Sequence, residues 1–120
     1  MRRGTITQAR QSPCAIEVIP LKNGQCDLSA TDTVSRIQVN DESGQHTEYR
    51  YTLYANRAKI GTYEEMVAAL VDLKYSTADE ISLMRKGIAD PQNVEYVAYM
   101  EYVNACKDYA RELYGIEVNA

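Results

Sequence analysis

Hydrophobic and polar residues alternate along much of the first half of the chain and recur every three to four positions along the second. The stretch Ala15-Ile16-Glu17-Val18-Ile19 is β-branched and reads as a strand. Lys22-Asn23-Gly24-Gln25 supplies an Asn-Gly pair that accepts the positive φ of a tight hairpin turn, and Cys26-Asp27-Leu28 is the expected return strand. A two-residue loop centred on Asn23-Gly24 places Cys26 opposite Leu21 rather than Cys14, which argues against a bridge between those two cysteines. A second hairpin is predicted from Val34–Val39, the turn Asp41-Glu42-Ser43-Gly44, and a strand from Glu48 to Ala55. In that last run Tyr49, Tyr51, Leu53 and Ala55 share one face, with Arg50, Thr52 and Tyr54 on the other, so the alternation implies a sheet covered on one side. The first dozen residues are polar and lack periodicity, and they read as a loose or partner-held arm.

From Gly61 the period changes to that of a helix. Thr62-Tyr63-Glu64-Glu65 has the capping-box form, and Tyr63, Met66, Val67, Leu70 and Val71 make an apolar stripe running to about Lys74. Ser76-Thr77-Ala78-Asp79-Glu80 restarts a short helix, expected to turn Ile81 and Met84 inward and to end at Gly87. Asp90-Pro91 then predicts the start of a long helix reaching Tyr114, closed by Gly115. Its seam has heptad spacing through Tyr96, Tyr99, Val103, Cys106, Ala110 and Leu113, with Tyr102 and Tyr109 on its flanks. Such a stripe packs within the chain or pairs with a second copy, so a homodimer stays open. The four tyrosines Tyr96, Tyr99, Tyr102 and Tyr109 are the candidate interaction surface. The fold class expected is α+β: a small antiparallel β-meander in the N-terminal half followed by three helices. Residues 1–13 are expected to form a flexible arm and 14–120 one domain, β-rich over 14–60 and helical over 61–120.

Composition changes this picture in two places. The chain of 120 residues has ten Tyr but neither Phe nor Trp, so every large ring carries a hydroxyl that needs a partner when buried. Two readings follow: tyrosines edging the core, or a Tyr-rich contact surface. The net charge of −4 is unevenly spread, with eight Lys/Arg against six Asp/Glu in residues 1–60 and five against eleven in residues 61–120. That sign disfavours nucleic acid as a partner and makes the acidic helical half either a solvated face or a surface for a basic protein. Met1-Arg2-Arg3 is followed by polar residues where a signal peptide needs an apolar run. Nothing approaches the roughly 20 apolar residues of a membrane span. Together with three widely spaced cysteines, Cys14, Cys26 and Cys106, these features predict reduced thiols and a cytoplasmic setting.

Catalytic readings find little to stand on. The single histidine, His46, sits beside the predicted turn and reads as a solvated loop residue. No Cys-x-x-Cys or His-x-x-x-His spacing suggests a zinc site, and Gly24, Gly44 and Gly61 stand too far apart for a phosphate-binding loop. The carboxylate pairs Glu64/Glu65 and Asp79/Glu80 lie in first turns of predicted helices, where the helix dipole favours negative charge. No enzyme activity, cofactor, metal or catalytic residue is expected.

Ile6-Thr7-Gln8-Ala9-Arg10 and the run from Ser12 through Asn23-Gly24 to Leu28, followed by Glu48-Tyr49-Arg50-Tyr51, resemble the opening of small proteins encoded near tail genes in phages and prophages of gut bacteria. Lys74-Tyr75-Ser76, Asp79-Glu80-Ile81, Glu95-Tyr96 and Cys106-Lys107 look like the closing helical module of many such proteins. The resemblance implies a non-enzymatic assembly or minor component of a phage or prophage tail module, with a tail protein as partner and no catalytic residues to carry over. Between Leu53 and Leu73 the chain departs from that pattern, lacking the more charged, Trp-bearing helix. The alternative function is a small acidic regulatory or inhibitor protein of a mobile element.

Overall fold

The computed structural model describes residues 1–116; the last four residues of the expected 14–120 domain lie outside the described residues. Four strands, β1 (Thr5–Ala9), β2 (Ile16–Pro20), β3 (Gln25–Asp41) and β4 (Gly44–Lys59), precede three helices, α1 (Tyr63–Asp72), α2 (Thr77–Ala89) and α3 (Val94–Tyr114). The strands form one antiparallel sheet in the order β1-β4-β3-β2, so the fold is α+β with the division near Gly61 that the change of period predicts.

The first thirteen residues are not a loose arm. Thr5 to Ala9 pair with Leu53 to Tyr49 and add a fourth strand beside the meander. Two local features allow it. Thr5, Ile6 and Thr7 are β-branched, and Gly4 lets the chain come close to β4: a Cβ there would stand 2.5 Å from Thr52 Cγ2 and 2.8 Å from the Leu53 carbonyl oxygen. Ahead of the strand, the Arg2 guanidinium bonds the Asp72 carboxylate at 2.8 Å and the Asp72 carbonyl at 2.6 Å, and the Arg2 amide donates to the Lys74 carbonyl. The segment thereby straps the end of α1 to the sheet.

Asn23 and Gly24 both adopt the positive φ their sequence predicts, but inside a one-turn 3-10 segment, Lys22–Gly24, so the loop is longer than two residues and Cys26 pairs with Pro20 instead of Leu21. The turn at Asp41–Gly44 is as predicted, with Asp41 accepting from the amide and hydroxyl of Ser43. β3 and β4 are longer than expected. They pair continuously except for a bulge between Asp32 and Ser35, where Thr33 takes φ 52°. The helices cover the face carrying Cys26, Leu28, Ala30 and Tyr54. Tyr49, Tyr51, Leu53 and Ala55, the more apolar side of that strand's alternation, lie on the face turned away from the helices.

A single core joins the halves. Val18, Cys26, Leu28, Ala30 and Tyr54 of the sheet meet Met66, Leu70, Leu73, Leu83, Cys106 and Ala110 of the helical half. Leu28 and Leu70 are among its largest fully buried side chains, each worth about 1.5–3 kcal/mol of transfer free energy. Helix starts follow their caps. Thr62 and Ser76 each form a reciprocal capping box, with Glu65 and Asp79 respectively. Asp79 also lies 3.0 Å from the Met1 amino group, and its hydrogen bonds with Ser76 and that amine hold its carboxyl down to about 2.

Four helix expectations are corrected. α2 runs through Gly87 to Ala89, because Gly87 is buried against the ring of Tyr96, where only a residue without a Cβ fits. The face turned inward is therefore that of Leu83 and Gly87, leaving Ile81 and Met84 outward. The long helix starts after Asn93, whose side chain accepts from the Tyr96 amide, while Asp90 closes α2 and accepts from the Gln92 amide. Its end is as predicted: Gly115 at φ 65° donates to the Arg111 and Glu112 carbonyls. The buried seam of α3 is Tyr99, Tyr102, Cys106 and Ala110; Val103 is half-buried and Leu113 exposed, because α3 is rolled so that Tyr102 enters the core.

Candidate functional site

The structure does not keep the four tyrosines of the predicted surface together. Tyr99 and Tyr102 are buried, Tyr99 donating to Glu80 at 2.7 Å and Tyr102 to the Leu70 carbonyl at 2.5 Å. Burial, and for Tyr99 also the Glu80 carboxylate, push both phenols well above their usual range. Tyr109 is half-buried, and its oxygen accepts the Val18 amide of edge strand β2 at 2.9 Å, filling a place that a further strand would otherwise take. Tyr114, outside the predicted set, donates to the Gly61 carbonyl at 2.6 Å. Each hydroxyl fastens α3 to a different part of the chain, which is why phenol rather than phenyl rings suit these sites. Tyr96, half-buried against Gly87, is with Tyr109 one of the two members of the set left partly accessible.

Beneath these rings lies a buried cation. Lys74 is 8% exposed, donates to the Thr31 carbonyl at 3.2 Å, and stands 4.4 Å from the Tyr102 ring centroid and 4.0 Å from Asp32. Desolvation lowers its pKa, partly opposed by Asp32. Cys106 beside it is sealed from solvent, and burial pushes its thiol up to about 11, a state in which sulfur is a poor nucleophile. This cluster is a packed interior without access for a substrate. His46 is not a solvated loop residue: it lies half-buried on β4 between Glu48, 2.5 Å from Nε2, and Asp41, 3.6 Å from Nδ1. Hydrogen bonds from Gln8 and His46 lower the Glu48 pKa, and those from Ser43 lower that of Asp41. The cluster therefore ties β1, β3 and β4 at the far end of the hairpin. Among the described residues no group of His, Cys, Asp and Glu has the arrangement of a metal site, and no helix is long and apolar enough to cross a membrane.

An accessible apolar surface lies on the outer side of the helices. A groove of about 590 Å³ lies between α1 and α3, with Tyr63, Val67 and Val71 along α1, Val103 and Lys107 on the α3 wall, and Thr77 and Glu80 of α2 closing one end. Along its outer rim Glu64, Ala68 and Asp72 follow one another at four-residue spacing, a single row on α1. α2 carries a row of its own that starts at Thr77 in the groove lining. Thr77, Ile81, Met84 and Ile88 share one flank of that helix at helical spacing, and the last three are 52%, 47% and 83% exposed. A soluble helix normally turns such a stripe inward; here Leu83 and Gly87 occupy the inward face. Met100 and Val103 of α3, both half-buried against the core, lie on the flank that lines the groove.

The sequence signal for this site was the pairing of Ile81 with Met84, and it was legible as an apolar stripe though not in its direction. Neither a protein-family model nor a curated protein nor a solved structure matches the chain.

Proposed function

We propose that the chain is a non-enzymatic interaction protein that docks another protein against the outer face of its helices. One observation carries this reading: Ile81, Met84 and Ile88 form an exposed apolar stripe on α2, the helix whose Thr77 and Glu80 close one end of the groove between α1 and α3. The resemblance of the Ser12–Leu28 run and of Glu48-Tyr49-Arg50-Tyr51 to small proteins encoded near phage tail genes supports a tail-module setting, with assembly of tail or fibre as the role. Met84→Asp and Ile88→Asp place charge on the stripe without touching the core, so folding should change by no more than about 0.5 kcal/mol. In affinity capture from induced lysates, followed by mass-spectrometric identification, both variants are expected to lose a tail protein that the unaltered chain retains. Retention of the same partner by both variants overturns the reading.

A second reading, a small acidic inhibitor made by a mobile element, has its own observation. The helical half carries five Lys/Arg against eleven Asp/Glu, and one of those five, Lys74, is buried, so the displayed surface is more acidic than the count implies. Capture of a nucleic-acid-binding enzyme or repressor in place of a tail protein would favour it.

A further inference from the structure

We infer that the occupant of the α1–α3 groove is an amphipathic helix of a partner protein bearing basic residues on the flank that meets α1; this rests on the docking reading above. The floor is apolar and belongs to Tyr63, Val67, Val71 and Val103. Its outer rim carries Glu64 and Asp72, and Glu80 closes the end, so carboxylates mark three places around the floor against one cation, Lys107, on the opposite wall. Asp72 is paired with Arg2 at 2.8 Å, and Glu80 accepts from Tyr99 at 2.7 Å. Glu64 is exposed and engages in no ion pair among the described residues.

An apolar trough with an acidic edge selects a helix whose apolar stripe is flanked by Lys or Arg. Ala68 sits midway along the rim, where its small exposed side chain leaves room for a second backbone to approach. Beyond Thr77, which lines the end of the groove, Ile81, Met84 and Ile88 stay exposed on the same flank of α2 and offer further apolar surface to a helix of several turns. A second copy of this chain is a poor occupant. Its own helices are acidic, and isologous pairing of this face would set Glu64 and Asp72 against carboxylates of the same kind.

The test uses a fluorescein-labelled peptide of about 18 residues, Leu on one helical stripe and Lys on the remainder, and its mirror with Glu in place of Lys. Titrated against the full chain in ~0.15 M salt, the Lys peptide should bind and gain helical ellipticity, and the Glu peptide should bind about tenfold more weakly or not at all. Ala68→Trp fills the trough from an exposed position and should weaken the Lys peptide about tenfold with unchanged melting. Glu64→Lys should weaken the Lys peptide and strengthen the Glu peptide. Equal affinity for the two peptides, or indifference to Ala68→Trp, overturns the inference. So does a dimer in sedimentation that Ala68→Trp converts to monomer, since the second copy is then the occupant. If Met84→Asp abolishes capture of the native partner and the Lys peptide fails to compete for it, the docking reading stands and the basic helix falls. If Met84→Asp leaves capture intact, the docking reading itself falls.

Discussion

Lys74 brings a charge into the core at a point where two tyrosine rings and the Thr31 carbonyl meet it. Removing the side chain takes away both its packing and its hydrogen bond, so Lys74→Ala should destabilise the fold by about 2–4 kcal/mol. Lys74→Met keeps most of the volume and discards the charge, and should cost less. The two variants separate packing from electrostatics, and pH adds a sign. Because burial lowers the Lys74 pKa, the folded state disfavours the charged form, and that penalty is present at neutral pH. It is relieved as pH rises through the depressed folded value, until lysine in the unfolded chain also loses its proton near ~10.4. Urea melts at pH 7 and pH 9 should therefore show the unaltered protein gaining on Lys74→Met at the higher pH; a loss would mean that Asp32 and the rings outweigh desolvation. The cysteines provide a second residue-level test. Cys14 is exposed, whereas Cys26 and Cys106 are fully buried. One thiol should titrate rapidly in the native protein and all three after denaturation without reductant. Two or more fast native thiols would contradict the burial of the pair.

α2 is the element whose environment departs furthest from its local sequence. Gly87 has the form of a helix stop, yet it is the residue on which Tyr96 of α3 lies, and the helix continues past it. Gly87→Ala improves helix propensity by about 1 kcal/mol but drives a Cβ into that ring. Since Tyr96 is held by its own packing, the clash should prevail, with a net loss of about 1 kcal/mol; combined with Tyr96→Ala, the same change should become neutral or favourable. A double-mutant cycle by chemical denaturation measures the coupling, and its absence would detach Tyr96 from Gly87. β1 offers the parallel case for the sheet. Gly4→Ala places a Cβ against the backbone of β4, so amide exchange over residues 5–9 should accelerate while that of β3 stays slow. What was legible in the sequence was local chemistry: the capping boxes at Thr62 and Ser76, the Asn-Gly turn, the Asp41–Gly44 turn and the Gly115 cap all act within a few residues of themselves. What was not legible depended on a distant neighbour. A five-residue strand in a polar stretch is fixed by β4, the direction of the Ile81 and Met84 stripe by Tyr96, and the choice between Tyr102 and Leu113 for the core by a carbonyl on α1.

At the scale of the whole molecule, the two halves differ in secondary structure and net charge, yet neither closes its own core. The sheet contributes Cys26, Leu28, Ala30 and Tyr54 to one face, and these residues are buried only because α1 and α3 lie over them. The helices in turn have Leu70, Cys106 and Ala110 pressed against that face, while Arg2, Lys74 and Tyr109 carry hydrogen bonds across the boundary. A sheet of four strands with one bare apolar face and a three-helix set without its floor are each short of the burial that small domains need. Loss of one half should therefore expose the other, and unfolding should be a single cooperative transition. Far-UV circular dichroism reports chiefly the helices, whereas cysteine accessibility at Cys26 reports the sheet, and the two should give coincident midpoints in urea. Leu70→Ala tests the same coupling from within the core. Leu70 is fully buried at the join, so its truncation should cost about 2–5 kcal/mol and shift both signals by the same amount. Leu113→Ala, on the exposed end of α3, should cost under about 1 kcal/mol. If Leu70→Ala lowers the helical transition while Cys26 stays protected, the sheet stands without the helices and the chain is two units rather than one.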